Sequence, residues 1–101
     1  MYKRILKRCC EKIRNQQYVM TYHARKEMNE DVLLIDDVEQ CILSGKILER
    51  QKDRITAEWK YRIRGNTLDG DEIEVIVKLS PTDKVVIITV YKLKGGNSDG
   101  V

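Results

Sequence analysis

The apolar residues of this chain change their spacing once, at Gly45. Before it, Tyr2, Ile5, Leu6, Cys9, Cys10 and Ile13 recur as on one face of a helix, which predicts a helix over 2–15. Asn15-Gln16-Gln17 breaks that pattern, and Tyr18-Val19-Met20 is short, apolar and suited to an extended segment. Thr21 reads as the N-cap of a helix running to about Asn29. A connection from Glu30 to Leu34 leads to a further helix over 35–44. Its buried stripe is Ile35, Val38, Cys41 and Ile42, with Asp36, Asp37 and Glu39 near its positive end. Gly45 is expected to stop that helix as a C′ residue.

After Gly45 the spacing is two, the period of strands. Residues 46–51 form the first expected strand. Trp59, Tyr61 and Ile63 alternate with Lys60, Arg62 and Arg64 in the second, giving one apolar and one cationic face. Residues 65–71 read as a hairpin loop, 72–79 as a strand and Ser80-Pro81-Thr82-Asp83 as a turn. Residues 84–91 are almost continuously apolar, as in a strand covered on both faces. The Gly- and Ser-containing tail, 95–101, is expected to be disordered. Helices first and strands afterwards predict an α+β fold, with N-terminal helices packed on one face of a mostly antiparallel sheet of about four strands.

With 101 residues, 42% of them hydrophobic and 35% charged, one domain with a modest core is expected, with a polar surface suited to the cytoplasm. No apolar run approaches the ~20 residues of a membrane-spanning helix. The basic N-terminal residues lead into Cys9-Cys10-Glu11-Lys12, unlike a secretory leader. The net charge of +3 is compatible with nucleic acid as a partner without requiring it. Lys3, Arg4, Lys7, Arg8, Lys12 and Arg14 give the first helix a cationic ridge, either a solvated face or one turned to RNA or a partner. Cys9, Cys10 and Cys41 are unpaired in spacing and lie on apolar stripes, so they are expected as small core residues, with no metal site and no cofactor. Asp69, Asp71 and Glu72 lack the ligand spacing of a calcium loop and are expected as solvated turn residues.

The only histidine, His23, sits at a helix entrance beside Arg25 and Lys26. An imidazole is suited to proton transfer near neutral pH, and cations at a helix N-terminus favour an anion. Two other polar groups lie on apolar elements: Lys60, Arg62 and Arg64 on one strand face, and Thr89 and Tyr91 near the end of the last strand. These are the residue types of a metal-independent ribonuclease. Such an enzyme needs a base for the ribose 2′-OH, an acid for the leaving 5′-oxygen and cations for the phosphorane. His23 supplies the base or acid. Arg25, Lys60 and Tyr91 join it as candidate catalytic residues, and Lys26, Arg62, Arg64, Thr89 and Tyr61 as RNA contacts. The two tyrosines suit hydrogen bonding or base stacking, although aromatic burial places Trp59 and Tyr61 first in the core. Solvated charges on a half-exposed strand remain the plain alternative for Lys60, Arg62 and Arg64.

The run His23-Ala24-Arg25-x-x-Met28-x-Glu30 resembles the HARxRMxER signature of a small bacterial family, the domain of unknown function DUF4258. Asp37-Val38, Cys41-Ile42, Gly45 and the closing strand Val86–Tyr91 continue the resemblance in order, over roughly residues 18–92. Members of that family look like RelE- and BrnT-type toxins, often paired with a zinc-finger antitoxin of the MqsA type. The resemblance implies a toxin-like α+β domain over 1–94 and the toxin component of a type II toxin–antitoxin system. It would cleave RNA by 2′-OH attack, in association with the ribosome or free of it, and be neutralised by a bound antitoxin. By position it implies roles for His23, Arg25, Thr89 and Tyr91. A non-catalytic protein- or nucleic-acid-binding module on the same fold is the alternative. The chain departs from the signature at Glu27, where a second arginine is usual. It departs again at Asp31-Val32-Leu33-Leu34, which replaces Arg-Gly-Ile-Ser/Thr and leaves leucine where an N-cap hydroxyl is expected.

Overall fold

The structure is a computed structural model and describes residues 2–93; the expected disordered tail, 95–101, lies outside them. Three helices, α1 (Lys3–Arg14), α2 (Tyr22–Glu30) and α3 (Ile35–Ser44), are combined with β1 (Tyr18–Met20), β2 (Lys46–Lys52), β3 (Trp59–Asn66), β4 (Glu72–Leu79) and β5 (Val85–Lys92). The sheet has five strands rather than four, in the order β1-β5-β4-β3-β2. The extra one is β1, which pairs parallel to β5, while the other three pairings are antiparallel. A parallel neighbour needs a crossover, and α2, α3 and the β2–β4 meander supply it.

The core lies on one face of the sheet. Ile63 of β3, Ile73, Val75 and Val77 of β4, and Val85, Ile87 and Val90 of β5 meet Val38, Cys41 and Ile42 of α3 and Cys9 and Ile13 of α1, all fully buried or nearly so. The three thiols are in this core, as expected. Burial pushes Cys9 up to about 11 and Cys41 up to about 12, with the Cys10 thiol also raised by burial. Trp59 falls on the same strand face as Tyr61 and Ile63, but the core ends before it. It is partly exposed, with Arg50 stacked 4.1 Å over its ring.

The helix ends contradict one expectation. Gly45 does not adopt a left-handed C′ conformation; its φ is −94°. It is needed for room, because a Cβ there would lie 2.5 Å from the carbonyl oxygens of both Arg64 and Cys41. The left-handed caps fall instead on Gln16 (φ 59°) and Val32 (φ 54°). Each closes a helix with paired bonds: Gln16 and Gln17 donate to Ile13 and Lys12, and Val32 and Leu33 donate to Asn29 and Met28. Leu34 is the N-cap of α3 and offers no side-chain acceptor, but Asp37 reaches back to the Leu34 N–H at 3.0 Å.

The last strand also differs from expectation. Its buried residues are Val85, Ile87 and Val90, so the core-facing parity switches at Ile88. Thr89 pairs with Ile76 and Ile87 with Val77, leaving Ile88 as a bulge. A bulge shifts every later side chain to the other face. A second bulge, at Leu48, does the same to β2. Neither was foreseen, and both decide which side chains meet on the face opposite the helices.

Candidate functional site on the open sheet face and the edge of strand β5

Strand β3 sends Tyr61 and Ile63 into the core and Lys60, Arg62 and Arg64 to the opposite, helix-free face. Strand β4 brings Glu74 to that face beside Arg64, and the β5 bulge turns Tyr91 over Glu74. The β2 bulge places Glu49 opposite Arg62. Glu74 is 1% exposed. Its Oε2 accepts from Arg62 Nη1 at 2.9 Å and from Arg64 Nη2 at 2.7 Å, and its Oε1 accepts from the Tyr91 hydroxyl. Glu49 takes a further bond from Arg62 Nε at 3.0 Å. Burial pushes the Glu74 carboxyl up, but the Tyr91 hydroxyl and the two guanidinium groups outweigh it and hold Glu74 below the usual glutamate value. Tyr91 is raised by burial and by the charge of Glu74. Thr89 lies on the same face next to Ile76. Lys60 stands 3.8 Å from Asp53, in a loop whose aspartate caps the N–H groups of Ile55 and Thr56.

Helix α2 runs beside β5 past the end of β1, and its side chains replace a neighbouring strand. The Thr21 hydroxyl donates to Ile88 O and accepts from the Ala24 N–H, as an N-cap should. Glu27 Oε1 accepts from Val90 N at 3.1 Å and Asp31 Oδ2 from Lys92 N at 3.0 Å. His23 lies one helical turn before Glu27, its Nε2 3.2 Å from the same Oε1, with its side chain 65% exposed. Arg25 is two residues further on, about 200° round the helix. It lines a groove with Met20, Met28 and Ile35, on a different side of α2 from the His23–Glu27 pair. Lys26 is exposed.

The candidate residues therefore divide among three places. Lys60, Arg62, Arg64, Thr89 and Tyr91 share the open sheet face. His23 stands at the β5 edge, tied through Glu27 to Val90, the residue before Tyr91. Arg25 belongs to the β1 groove. Tyr61 is 7% exposed and meets Tyr2 edge-on with ring centroids 6.2 Å apart, so it presents no ring face to a base. Sequence reasoning missed Glu74, Glu49 and Glu27. Glu27 was within reach, since residues four apart on a helix are neighbours. Glu74 and Glu49 needed the strand register. The cationic ridge of α1 is partly neutralised, with Arg8 and Lys12 both paired to Asp83 in the β4–β5 turn. No group of side chains with the makeup of a metal site occurs among the described residues. No helix among them is long and apolar enough to cross a membrane.

A comparison with curated proteins finds no match, and a comparison with solved structures finds none either. Residues 20–92, which hold α2, α3, strands β2–β5 and every element of the open face, match the family described as domain of unknown function (DUF4258). The chain belongs to the DUF4258 family.

Proposed function

We propose that this chain is a toxin-type ribonuclease that cleaves RNA without a cofactor, working where the open sheet face meets the β5 edge, and that a bound antitoxin of the zinc-finger type silences it in the cytoplasm. The observation that carries this reading is the attachment of two polar devices to adjacent residues of one strand. Val90 holds the His23–Glu27 pair, and Tyr91 joins the Glu74–Arg62–Arg64 network. The resemblance of members of the DUF4258 family, whose signature the His23-Ala24-Arg25 run matches, to RelE- and BrnT-type toxins supports it.

In this scheme Glu27 faces Nε2 of His23 and favours a proton there, leaving Nδ1 as the free basic nitrogen. Nδ1 takes the proton of a ribose 2′-OH, the 2′-oxygen attacks phosphorus, and the P–O5′ bond breaks. The products are a 2′,3′-cyclic phosphate and a 5′-hydroxyl that takes its proton from water. Arg64, the more exposed of the two arginines on Glu74, meets the phosphate charge, with Lys60 further along the strand. The Tyr91 hydroxyl donates a hydrogen bond to Glu74, which makes it a support for the arginines rather than an acid. In this reading Thr89 and Lys26 make the contacts to the RNA backbone.

Inducible expression in a bacterial host, followed by RNA integrity and by end-group analysis with purified protein, tests the reading. Wild type should arrest growth and leave cyclic-phosphate ends, while a folded His23→Ala protein should do neither. Cleavage by His23→Ala at the wild-type rate would overturn it. One observation favours a second reading, a binding module without catalysis: Arg62 and Arg64 are already paired to carboxylates. Wild type that binds RNA or a protein partner but leaves RNA intact would establish that instead.

A further inference from the structure

We propose that the end of the β2–β3 hairpin is a contact surface for single-stranded nucleic acid, with a base stacked at Trp59 and phosphates on Arg50, Lys52 and Arg54. The surface is separate from the open face and from the β5 edge, and binding there does not require that the chain cleave RNA. In the hairpin register Arg50 pairs with Tyr61 and Lys52 with Trp59, so all four side chains share the helix side of the sheet. Tyr61 is the last of that face to enter the core, met edge-on by Tyr2 at the start of α1. Trp59 stands one pair further out, past the helix cover, and is 41% exposed. Arg50 Cζ lies 4.1 Å and Lys52 Nζ 5.8 Å from its ring centroid. The indole thus keeps open surface beside two cations.

The charge here is uncompensated. Residues 46–61 contain three acids, and each is engaged by a cation of the open face. Glu49 accepts from Arg62, Glu58 accepts from Lys78 at 2.7 Å, and Asp53 stands 3.8 Å from Lys60 while capping the Ile55 and Thr56 N–H groups. Asp83, in the β4–β5 turn, is taken by Arg8 and Lys12. The first turn of α1 adds Lys3 and Arg4 and no acid. Arg50, Lys52 and Arg54 are exposed and in no ion pair among the described residues.

An aromatic ring among unpaired cations fits a polyanion that carries flat faces. Phosphates meet the cations, and a base stacks on the indole or a guanidinium plane. An acidic peptide would neutralise the cations but bring no flat partner for the ring. An anionic membrane would need apolar groups to insert, and Ile55 is the only large apolar residue of the 53–58 loop. A duplex keeps its base faces stacked on one another. Stacking and phosphate contact tolerate any base and either sugar, so RNA and DNA single strands should both bind.

Trp59 is the only tryptophan, so its fluorescence reports this surface alone. The full chain is titrated with a short oligodeoxythymidylate, which lacks the 2′-OH and is read apart from any cleavage. Emission should be quenched, and the same strand in a duplex should bind more weakly. Fluorescence anisotropy of a labelled strand measures the variants. Trp59→Ala should weaken binding about tenfold. Lys52→Gln and Arg54→Gln, at exposed positions that leave the fold intact, should each lower the salt slope of log K by about 0.7. Unchanged Trp59 emission at low salt and millimolar oligonucleotide would overturn the proposal. So would equal quenching by inorganic polyphosphate, which would show a site for charge alone, or wild-type salt slopes in both glutamine variants. A blue shift with anionic phospholipid vesicles but not with oligonucleotide would overturn it in favour of a membrane contact.

Discussion

Glu27 Oε1 accepts the backbone N–H of Val90 at 3.1 Å, so a helix side chain closes the sheet where β1 has ended. The same oxygen stands 3.2 Å from His23. Substitution separates the two tasks. Glutamine keeps an acceptor for Val90 and loses the charge that faces the imidazole, whereas alanine loses both. Glu27→Ala should lower the unfolding free energy by roughly 1–3 kcal/mol, the cost of an unsatisfied N–H, and Glu27→Gln by less than about 1 kcal/mol. Urea unfolding followed by circular dichroism measures both. Equal losses would show that the charge, not the acceptor, holds β5.

Glu74 is the acid on which the open face depends. Glu74→Ala would leave two guanidinium groups and the Tyr91 hydroxyl without their shared partner, and should cost roughly 3–5 kcal/mol. The pH dependence has a definite sign. The carboxyl is lowered from 4.5 in the folded protein, so below that value the unfolded chain binds the extra proton first. Stability from Glu74 is complete above 4.5 and is lost as pH falls through the lowered value. Asp83, held low first by Lys12 and then by Arg8, adds a contribution of the same sign from an exposed site. Salt screens that exposed pair more than the buried one. Acid unfolding in high salt should therefore keep the Glu74 component, and Glu74→Gln should remove it. Identical acid profiles for wild type and Glu74→Gln would contradict the assignment.

Val32 carries a branched side chain at a left-handed position, φ 54°. That conformation costs roughly 1–2 kcal/mol for an L-residue. The α2 cap imposes it, through the bonds from Val32 and Leu33 to Asn29 and Met28. Val32→Gly should raise the unfolding free energy by about 1 kcal/mol, the relieved strain being partly offset by glycine's freedom in the unfolded chain. Leu34→Ser should add a similar amount by supplying the missing N-cap acceptor for α3. Thermal unfolding of each variant is the check, and a lower midpoint for Val32→Gly would mean that the cap is not strained.

These same positions explain what could be read from residue order. Helix and strand periods are local, so α1, α2, α3 and strands β2–β5 were legible to within a residue or two at most ends. The caps were less so, because tertiary structure placed the left-handed turns on Gln16 and Val32 and used Gly45 for another purpose. The bulge at Ile88 was hidden inside an apolar run in which either parity looks buried. Glu74 alternates with Ile73 and Val75 and reads as an ordinary solvent-facing residue. Only the register of three strands reveals that Arg62, Arg64 and Tyr91 enclose it. His23 and Glu27 were visible as helix neighbours, but their link to Val90 joins residues far apart in the chain.

Gly65 sits within β3 rather than in the hairpin loop, under the last turn of α3. A Cβ at Gly65 would collide with the carbonyl oxygen of Cys41 and come within 2.8 Å of its carbonyl carbon. These are helix backbone atoms and cannot rotate away. Gly65→Ala must therefore lift α3 from the sheet, and should cost roughly 1–3 kcal/mol or more. Gly70→Ala is the control: a Cβ there meets nothing, but its φ of 91° disfavours any side chain. That variant should lose about 1 kcal/mol through backbone strain while leaving the contact between α3 and β3 unchanged. Hydrogen exchange distinguishes the two mechanisms. Gly65→Ala should speed exchange in α3, around Cys41 and Ile42, well beyond the change in global stability, and Gly70→Ala should not. If both variants accelerate all amides equally, the close approach of α3 to β3 contributes nothing specific.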